Sequence, residues 1–211
     1  MQERTPGPPT GTPEVGRAAK YAEQDILDAA LALVVEEGPQ SASVVAIAAR
    51  LNAPSGSIYH RFASRDLILA TVWVRAVRRF QQGFLDALAI PEPREAAQQA
   101  VHHTLQWTAQ HPVEAKVLAM HRRQDLIASW PTELGEELSS LNSAVTKAVV
   151  GFAVRHFGTP DRESIEKARF ALIDIPHVAV RHSLGDQQPP WLRDTALAAC
   201  LAALGLTPDP S

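Results

Sequence analysis

Polar side chains between positions 55 and 65 are the residues of this sequence whose types and spacing could do chemistry. The outward positions of a short helix predicted at residues 55–62, together with the arginine just beyond it, are Ser55, Gly56, Ser57, Tyr59, His60, Arg61 and Arg65. Hydroxyl groups can hydrogen-bond phosphates or base edges, arginine can donate two parallel hydrogen bonds to guanine or phosphate, and glycine lets a backbone come close. A solvated polar helix face is the alternative interpretation. The pattern favours recognition of a nucleic acid.

Two short helices joined by a tight turn must position these side chains. The first is predicted at residues 43–51, with Ser43 as its N-cap, and the second at residues 55–62. The apolar positions that pack them together are Val44, Ile47, Leu51, Ile58 and Phe62. Asn52 stands where the turn needs a left-handed backbone conformation, which asparagine adopts more readily than other non-glycine residues. The segment is therefore predicted to be a helix-turn-helix, whose second helix can enter the major groove of DNA.

The net charge of the chain, −3, gives no hint of a nucleic-acid partner, but the charge is unevenly distributed. Residues 50–79 contain six arginines and one acidic residue, a local net charge of +5, whereas the rest contains 14 basic and 22 acidic residues, a net charge of −8. A basic segment on an acidic body is the charge distribution expected of a DNA-binding face. Solvated helix surface is the alternative for Arg75, Arg78 and Arg79.

The stretch from about residue 26 to 73 resembles the DNA-binding domain of TetR-family transcriptional regulators. The resemblance rests on three motifs: Ile47-Ala48, Ser57-Ile58-Tyr59-His60-Arg61-Phe62 and Ser64-Arg65-Asp66-Leu67. It implies that Ser43, Ser55, Gly56, Ser57, Tyr59, His60 and Arg65 touch DNA backbone or bases. It also implies a homodimer that binds a double-stranded DNA operator and responds to a small-molecule effector, more commonly as a repressor.

Three residues depart from the family pattern. Asn52 replaces the usual glycine, Pro54 replaces the usual capping serine, and Arg61 replaces the commonest residue, histidine. Asn52 preserves the turn, and Arg61 adds a positive charge near phosphate. Without a cap at Pro54, Ser55 is expected to take over and shift the helix start by one residue, which leaves open whether Ser55 or Ser57 faces a base.

Apolar residues recur at helical spacing along the rest of the chain, and proline and glycine fall mostly in the gaps. The sequence predicts an all-α protein of nine helices and no sheet, at residues 21–37, 43–51, 55–62, 65–88, 94–110, 112–129, 132–157, 162–183 and 191–204. The predicted organisation is a disordered arm (1–20), a helix-turn-helix domain (21–66), a helical effector-binding and dimerisation domain (67–207) and a tail (208–211). Pro176 predicts a kink in the eighth helix.

Apolar seams on the seventh and eighth helices are the candidate dimer interface. The positions assigned to it are Leu138, Leu141, Val145, Ala148, Phe152, Leu172, Ile175 and Ala179. Burial within one chain explains the same periodicity equally well. The family resemblance favours a dimer, as does the need for two reading helices, because a two-fold pair reads half-sites about 34–36 Å apart.

Aromatic and polarisable residues in the middle of the chain are the candidate effector pocket. They are Trp73, Phe80, Trp107, Met120, His121 and Trp130. An ordinary core is the alternative, but the resemblance implies a pocket enclosed by the middle helices, and such a lining suits a partly apolar ligand. Ligand binding would then move the fourth helix and change the separation of the two reading helices.

Several function classes lack their sequence signals. There is no run of ~18 apolar residues and no secretory leader, which predicts a cytoplasmic protein without a membrane span. The single cysteine, Cys200, is predicted to be a buried free thiol. We expect no metal site, because the sequence has histidines but neither a cysteine pair nor a metalloprotease motif. We also expect no cofactor and no catalytic site, because nucleophile-elbow, phosphate-loop and dinucleotide motifs are missing. The alternative function is an all-helical small-molecule-binding protein or enzyme that does not bind DNA.

Overall fold

A computed structural model describes residues 22–120, 134–184 and 187–206. These residues form ten α-helices and no β-strand, which confirms the all-α prediction. The helices are α1 (Glu23–Glu37), α2 (Val44–Arg50), α3 (Ser55–Tyr59), α4 (Arg65–Leu88), α5 (Pro93–Gln110), α6 (Pro112–Met120), α7 (Gly135–Phe157), α8 (Arg162–Arg169), α9 (Ile175–Ser183) and α10 (Pro190–Ala203). A 3-10 turn (Pro39–Ser41) and a π-helical turn (Phe170–Asp174) complete the described elements.

Local capping signals set most of the helix ends. The Ser43 hydroxyl oxygen accepts a hydrogen bond of 3.1 Å from the Ala46 N–H, and Ser64 caps α4 in the same way. Gly38 ends α1 with φ of +92°, a value that favours glycine. At α5 the carboxylate of Glu92 accepts the N–H groups of the first turn, and these hydrogen bonds lower the pKa of Glu92. That cap places the start of α5 one residue earlier than predicted.

The predicted eighth helix is interrupted by the π-helical turn, and α8 and α9 lie on either side of it. The Ile175 N–H bonds to the Phe170 carbonyl, five residues back rather than four. Pro176 explains the wider turn, because proline has no N–H and its ring crowds the carbonyl four residues earlier, at Leu172. The disturbance that the sequence predicted at Pro176 is thus present, and it extends over the preceding turn.

Two hydrophobic cores share helix α4. The first, called here the head core, joins α1, α2 and α3 to the start of α4 through Ile68 and Val72, and receives Val117 from α6. The second, the body core, packs α4 through Phe84 and Leu88 against α5, α7 and the C-terminal helices. Because α4 contributes to both cores, it connects the two halves of the protein, and the domain boundary expected after residue 66 remains a prediction.

The body core contains residues that the sequence assigned to a dimer interface. Phe152 and Leu172 have no exposed surface and Ala179 is buried, while Val145 and Ala148 pack against the same cluster. Phe152, Leu172 and Ala179 therefore pack within this chain, and their assignment to a dimer interface remains a prediction. Leu141 and Ile175 are half-buried, and the side chain of Leu138 lies outside the described residues.

Cys200 lies in the body core, which confirms the prediction of a buried free thiol. Burial raises the pKa of this thiol to about 12. The reactive thiolate is therefore scarce at neutral pH.

Helices α4 and α5 meet at a glycine. The imidazole of His103 on α5 contacts the backbone of α4 at Gly83, and its Nε2 lies 2.8 Å from the Phe80 carbonyl oxygen. The ring also packs against the Phe80 ring, with centroids 5.4 Å apart. A Cβ atom at position 83 would overlap the imidazole.

This contact predicts that Gly83→Ala destabilises the protein. Glycine to alanine inside a helix ordinarily stabilises by about 0.5–1 kcal/mol. Here we expect the free energy of unfolding to fall by about 1–3 kcal/mol, as in other overpacked sites. Urea denaturation measures this change, with the wild type, Gly83→Ala, His103→Ala and the double variant compared. In the His103→Ala background the added methyl group should instead stabilise, and an equal effect in both backgrounds would contradict the contact.

Candidate nucleic-acid interface and internal cavity

The turn between α2 and α3 fixes the angle at which the two helices meet. Asn52 has φ of +51°, the only positive φ of a non-glycine residue in the described part of the chain. Its N–H donates to the Ala49 carbonyl at 3.0 Å, and the Ala53 N–H donates to the Ala48 carbonyl at 2.9 Å. This pair of hydrogen bonds is the Schellman arrangement that closes a helix C-terminus. The left-handed conformation predicted for Asn52 is confirmed.

Helix α3 begins at Ser55, and Pro54 occupies its N-cap position without a side-chain cap. The Ser57 hydroxyl donates its hydrogen to the Pro54 carbonyl at 2.7 Å. The hydroxyl oxygen can therefore only accept a hydrogen bond from a bound partner. Ser55 does not take over the capping role that the sequence suggested, because it is the first helical residue. Regular helix ends at Tyr59, three residues earlier than predicted, although hydrogen-bonded turns continue to Phe62.

Packing within the chain does not explain the outward residues of α3. Tyr59 is 57% exposed although it is aromatic, and His60 is exposed beside it. At Gly56 a Cβ atom would meet nothing within 4 Å, so the fold itself does not need glycine there. Ile58, by contrast, is fully buried in the head core. Helix α3 is therefore anchored on one side and open on the other, as a helix that reads an external partner should be.

Most of the basic residues that the sequence assigned to this face are already paired. Arg50 makes two hydrogen bonds of 2.6 Å to the Glu36 carboxylate on α1, and these lower the pKa of Glu36. The other pairs are Arg75 with Asp28 (2.7 Å), Arg78 with Glu137 (2.7 Å), Arg79 with Glu114 (2.5 Å) and Arg65 with Asp66 (3.2 Å).

These pairs change the meaning of the local charge of +5. Four of the carboxylates, those of Glu36, Asp28, Glu137 and Glu114, belong to residues outside the basic segment and fold back onto it. Arg75, Arg78 and Arg79 therefore form ion pairs that link α4 to α1, α7 and α6, although the side chains of Arg78 and Arg79 remain 61% and 52% exposed. Among the six arginines of residues 50–79, only Arg61 has no carboxylate partner in the described part of the chain.

Arg61 and Arg65 have different surroundings. Arg61 donates to the Ser57 carbonyl of its own helix at 2.9 Å, a contact that a phosphate can replace. Arg65 donates to the Pro39 carbonyl in the 3-10 turn, so its guanidinium also holds α4 against the end of α1. The unpaired charge at this face is thus concentrated on Arg61.

An internal cavity of about 250 Å³ lies between α4, α5, α6, α7 and the segment from the π-helical turn to α9. Its lining is mostly apolar and includes Phe80, Phe84, Leu118, Leu172 and Val180. A larger, more polar cavity of about 850 Å³ shares Thr108 and Val180 with it and extends towards α10. The smaller cavity is partly open to solvent and has the apolar lining expected of a site for a small ligand.

The sequence identified one wall of this cavity. Phe80 lines it, as predicted, but Trp73 packs against the head core and Trp107 lies behind Phe80, edge-on at 5.4 Å. Neither tryptophan lines this cavity, because a helical stripe of aromatic residues does not show which of them meets a void, and their assignment to an effector pocket remains a prediction. His121 and Trp130 lie outside the described residues, as does the side chain of Met120.

Two other classes of site were searched for over the described residues. No group of three or more histidine, cysteine, aspartate or glutamate side chains there could hold a metal ion. None of the helices in the same ranges combines the length and apolar character needed to cross a membrane.

Comparison with known proteins identifies the N-terminal segment. Residues 26–72 match the model of a family described as bacterial regulatory proteins, tetR family. The match covers α1 to the first two turns of α4, which includes the helix-turn-helix. A comparison with curated proteins finds no match.

Solved structures share the fold over most of the chain. The TetR-family regulator PfmR from Thermus thermophilus is 18% identical, with a TM-score of 0.67 over 85% of this chain and 97% of that one. KstR2 of Mycobacterium tuberculosis, a ketosteroid transcriptional regulator, is 22% identical, with a TM-score of 0.62 over 90% and 97%. FadR from Bacillus halodurans, a fatty acid degradation regulator, is 17% identical, with a TM-score of 0.63 over 87% and 98%. All three are described as regulators rather than as enzymes.

The turn geometry generates a stability prediction at Asn52. Asn52→Gly should keep the free energy of unfolding within about 0.5 kcal/mol of the wild type. Asn52→Ala should lower the free energy of unfolding by about 1 kcal/mol, because the Cβ atom of alanine opposes the left-handed conformation. Both variants lose the same amide, so the difference between them isolates the backbone effect. Equal stability of the two variants in urea denaturation would show that φ at this position is not a constraint.

Proposed function

Because residues 26–72 match the tetR family of bacterial regulatory proteins and the chain has the fold of TetR-family transcriptional regulators, we propose that it is a ligand-responsive regulator that binds a palindromic operator as a homodimer. The observation that carries this proposal is the state of α3. Its Ile58 is buried in the head core, while Tyr59 and His60 are exposed and Gly56 borders open space. Binding to DNA would take place in the cytoplasm.

The residues of the proposed interface have distinct roles. Tyr59, His60, Ser55 and Ser57 approach base edges or phosphates, and Gly56 lets the backbone of α3 come close to the groove. Arg61 supplies charge to a phosphate. Ser43 already accepts the Ala46 N–H, so its hydroxyl hydrogen can be donated to a phosphate at the start of α2. The main role of Arg65 is to hold α4 in place, and contact with DNA is an additional role.

Exposed apolar side chains on the C-terminal helices support a dimer. Val154 on α7 is 41% exposed, Phe170 in the π-helical turn 54% and Val178 on α9 66%. Large exposed apolar side chains are typical of a surface that another subunit covers. Since α3 has only five residues, two copies are needed to read enough bases for specificity.

The position of the cavity supports repression with effector release. Phe80 of α4 and Leu118 of α6 line it, Glu114 of α6 pairs with Arg79 of α4, and Val117 of α6 packs in the head core. A ligand that displaces α6 would therefore shift α4 and the head, which changes the separation of the two α3 helices. Two of the similar structures are named for fatty acid degradation and ketosteroids, in keeping with an apolar effector.

A salt titration of operator binding tests the interface. The apparent binding constant for the upstream DNA of the gene should fall with salt, and Arg61→Ala should reduce the slope of log K against log salt by about one unit. Tyr59→Phe should weaken binding by about 3–10-fold, since it removes one hydrogen bond. Arg162→Ala, at an exposed arginine of α8, is the control and should change neither. An unchanged slope for Arg61→Ala would place the phosphate contact elsewhere.

A substitution on α9 tests the dimer face. Val178→Glu should raise the dimer dissociation constant by about tenfold or more, because it buries a charge in an apolar contact. Val45→Glu on α2, at a valine that is 69% exposed, is the matched control and should leave the dimer intact. Analytical ultracentrifugation of both variants measures the dimer dissociation constant. If Val178→Glu dimerises as the wild type does, the two chains meet through another surface.

A further inference from the structure

The internal cavity has two basic side chains at its edge and no carboxylate in its described lining. His177 and Arg181 line it from α9, four residues apart and therefore on the same face of that helix. Neither makes a hydrogen bond or an ion pair within the described part of the chain. Asp174 is the nearest acidic residue along the same segment, and its carboxylate faces Arg169 at 3.8 Å.

The other polar groups of the cavity are already satisfied or neutral. The Thr104 hydroxyl donates to the Ala100 carbonyl at 2.8 Å. The Thr108 hydroxyl donates to the Thr104 carbonyl at 2.9 Å and accepts from the Gln188 amide at 3.3 Å. Gln81 is the remaining polar residue of the lining, and it is uncharged. A ligand's charged group would therefore be recognised at the α9 edge and not at the apolar centre.

Arg181 differs from Arg78 and Arg79 of α4, which already have acidic partners. Arg78 and Arg79 pair with the carboxylates of Glu137 and Glu114 at 2.7 and 2.5 Å. Arg181 keeps its positive charge without such a partner, and the imidazole of His177 lies one helical turn away. A carboxylate matches the guanidinium geometry of Arg181 and can accept a further hydrogen bond from His177.

The volume sets the size of the apolar part. At about 30 Å³ for a water-sized group, a cavity of about 250 Å³ accommodates roughly eight such groups. We infer that the cavity binds a medium-chain or aryl-alkyl carboxylic acid, with its apolar body against Phe80, Phe84 and Leu118 and its carboxylate on Arg181 and His177. This inference rests on the proposed function for the effector role, and it specifies the chemical class of the ligand.

Calorimetric titration of the full-length protein with octanoate, octan-1-ol and octylamine tests the inference. The three compounds have the same apolar body, so their differences report recognition of the head group. Octanoate should bind about tenfold or more tightly than octan-1-ol, and octylamine should bind most weakly. Equal affinity for octanoate and octan-1-ol, tightest binding of octylamine, or no binding of any of the three would overturn the inference.

Variants locate the carboxylate. Arg181→Met should lower octanoate affinity about tenfold and leave octan-1-ol affinity within about twofold, and His177→Gln should act in the same direction with a smaller effect. Arg162→Met removes an equally exposed arginine from α8 and should change neither affinity. Both α9 residues are exposed, and thermal unfolding by circular dichroism verifies that the variants are folded. Wild-type octanoate affinity in Arg181→Met would refute the assignment.

Operator titrations with and without octanoate separate this inference from the proposed function. Selective octanoate binding that leaves operator affinity unchanged would support the ligand class and contradict its effector role. Operator binding that responds to another compound, with no octanoate binding, would support the regulator and contradict the ligand class.

Discussion

The membership of α4 in two hydrophobic cores is the constraint on which the rest of this structure depends. At about 1.5 Å per residue, its 24 residues extend for about 36 Å, with Ile68 and Val72 in the head core and Phe84 and Leu88 in the body core. A helix that packs in two cores can transmit a displacement from one end to the other. The internal cavity, which Phe80 lines, is therefore connected through α4 to the helix-turn-helix that α4 supports.

Electrostatics in this protein hold helices together more than they provide a basic surface. The arginines that make residues 50–79 look basic are matched by carboxylates from α1, α6 and α7, because the chain folds those elements against α2 and α4. Charge counted along a sequence segment cannot include partners that only the fold brings near. The proposed interface thus depends on hydroxyl, phenol and imidazole groups, on close backbone approach at Gly56 and on the charge of Arg61.

Helix caps and left-handed turns could be predicted from the sequence. The direction in which an apolar residue faces could not be predicted. Ser43, Ser64, Gly38 and Asn52 were correctly assigned because a cap or a left-handed turn depends on residues within one helical turn. The seam through Phe152 and Leu172 packs inside the chain, although the same periodicity arises when the neighbouring helix belongs to a partner. The basic pair His177 and Arg181 was overlooked, although a pair of basic residues four apart on an apolar helix is a visible signal.

The openness around Gly56 has a consequence for how the protein can evolve. No atom lies within 4 Å of a side chain added there, and the neighbouring Tyr59 is mostly exposed, so substitutions at these positions leave the head core untouched. Preference for a given DNA sequence can then change by single substitutions without loss of stability. Under the proposed function, the reading surface and the scaffold that holds it are thus separable parts of the molecule.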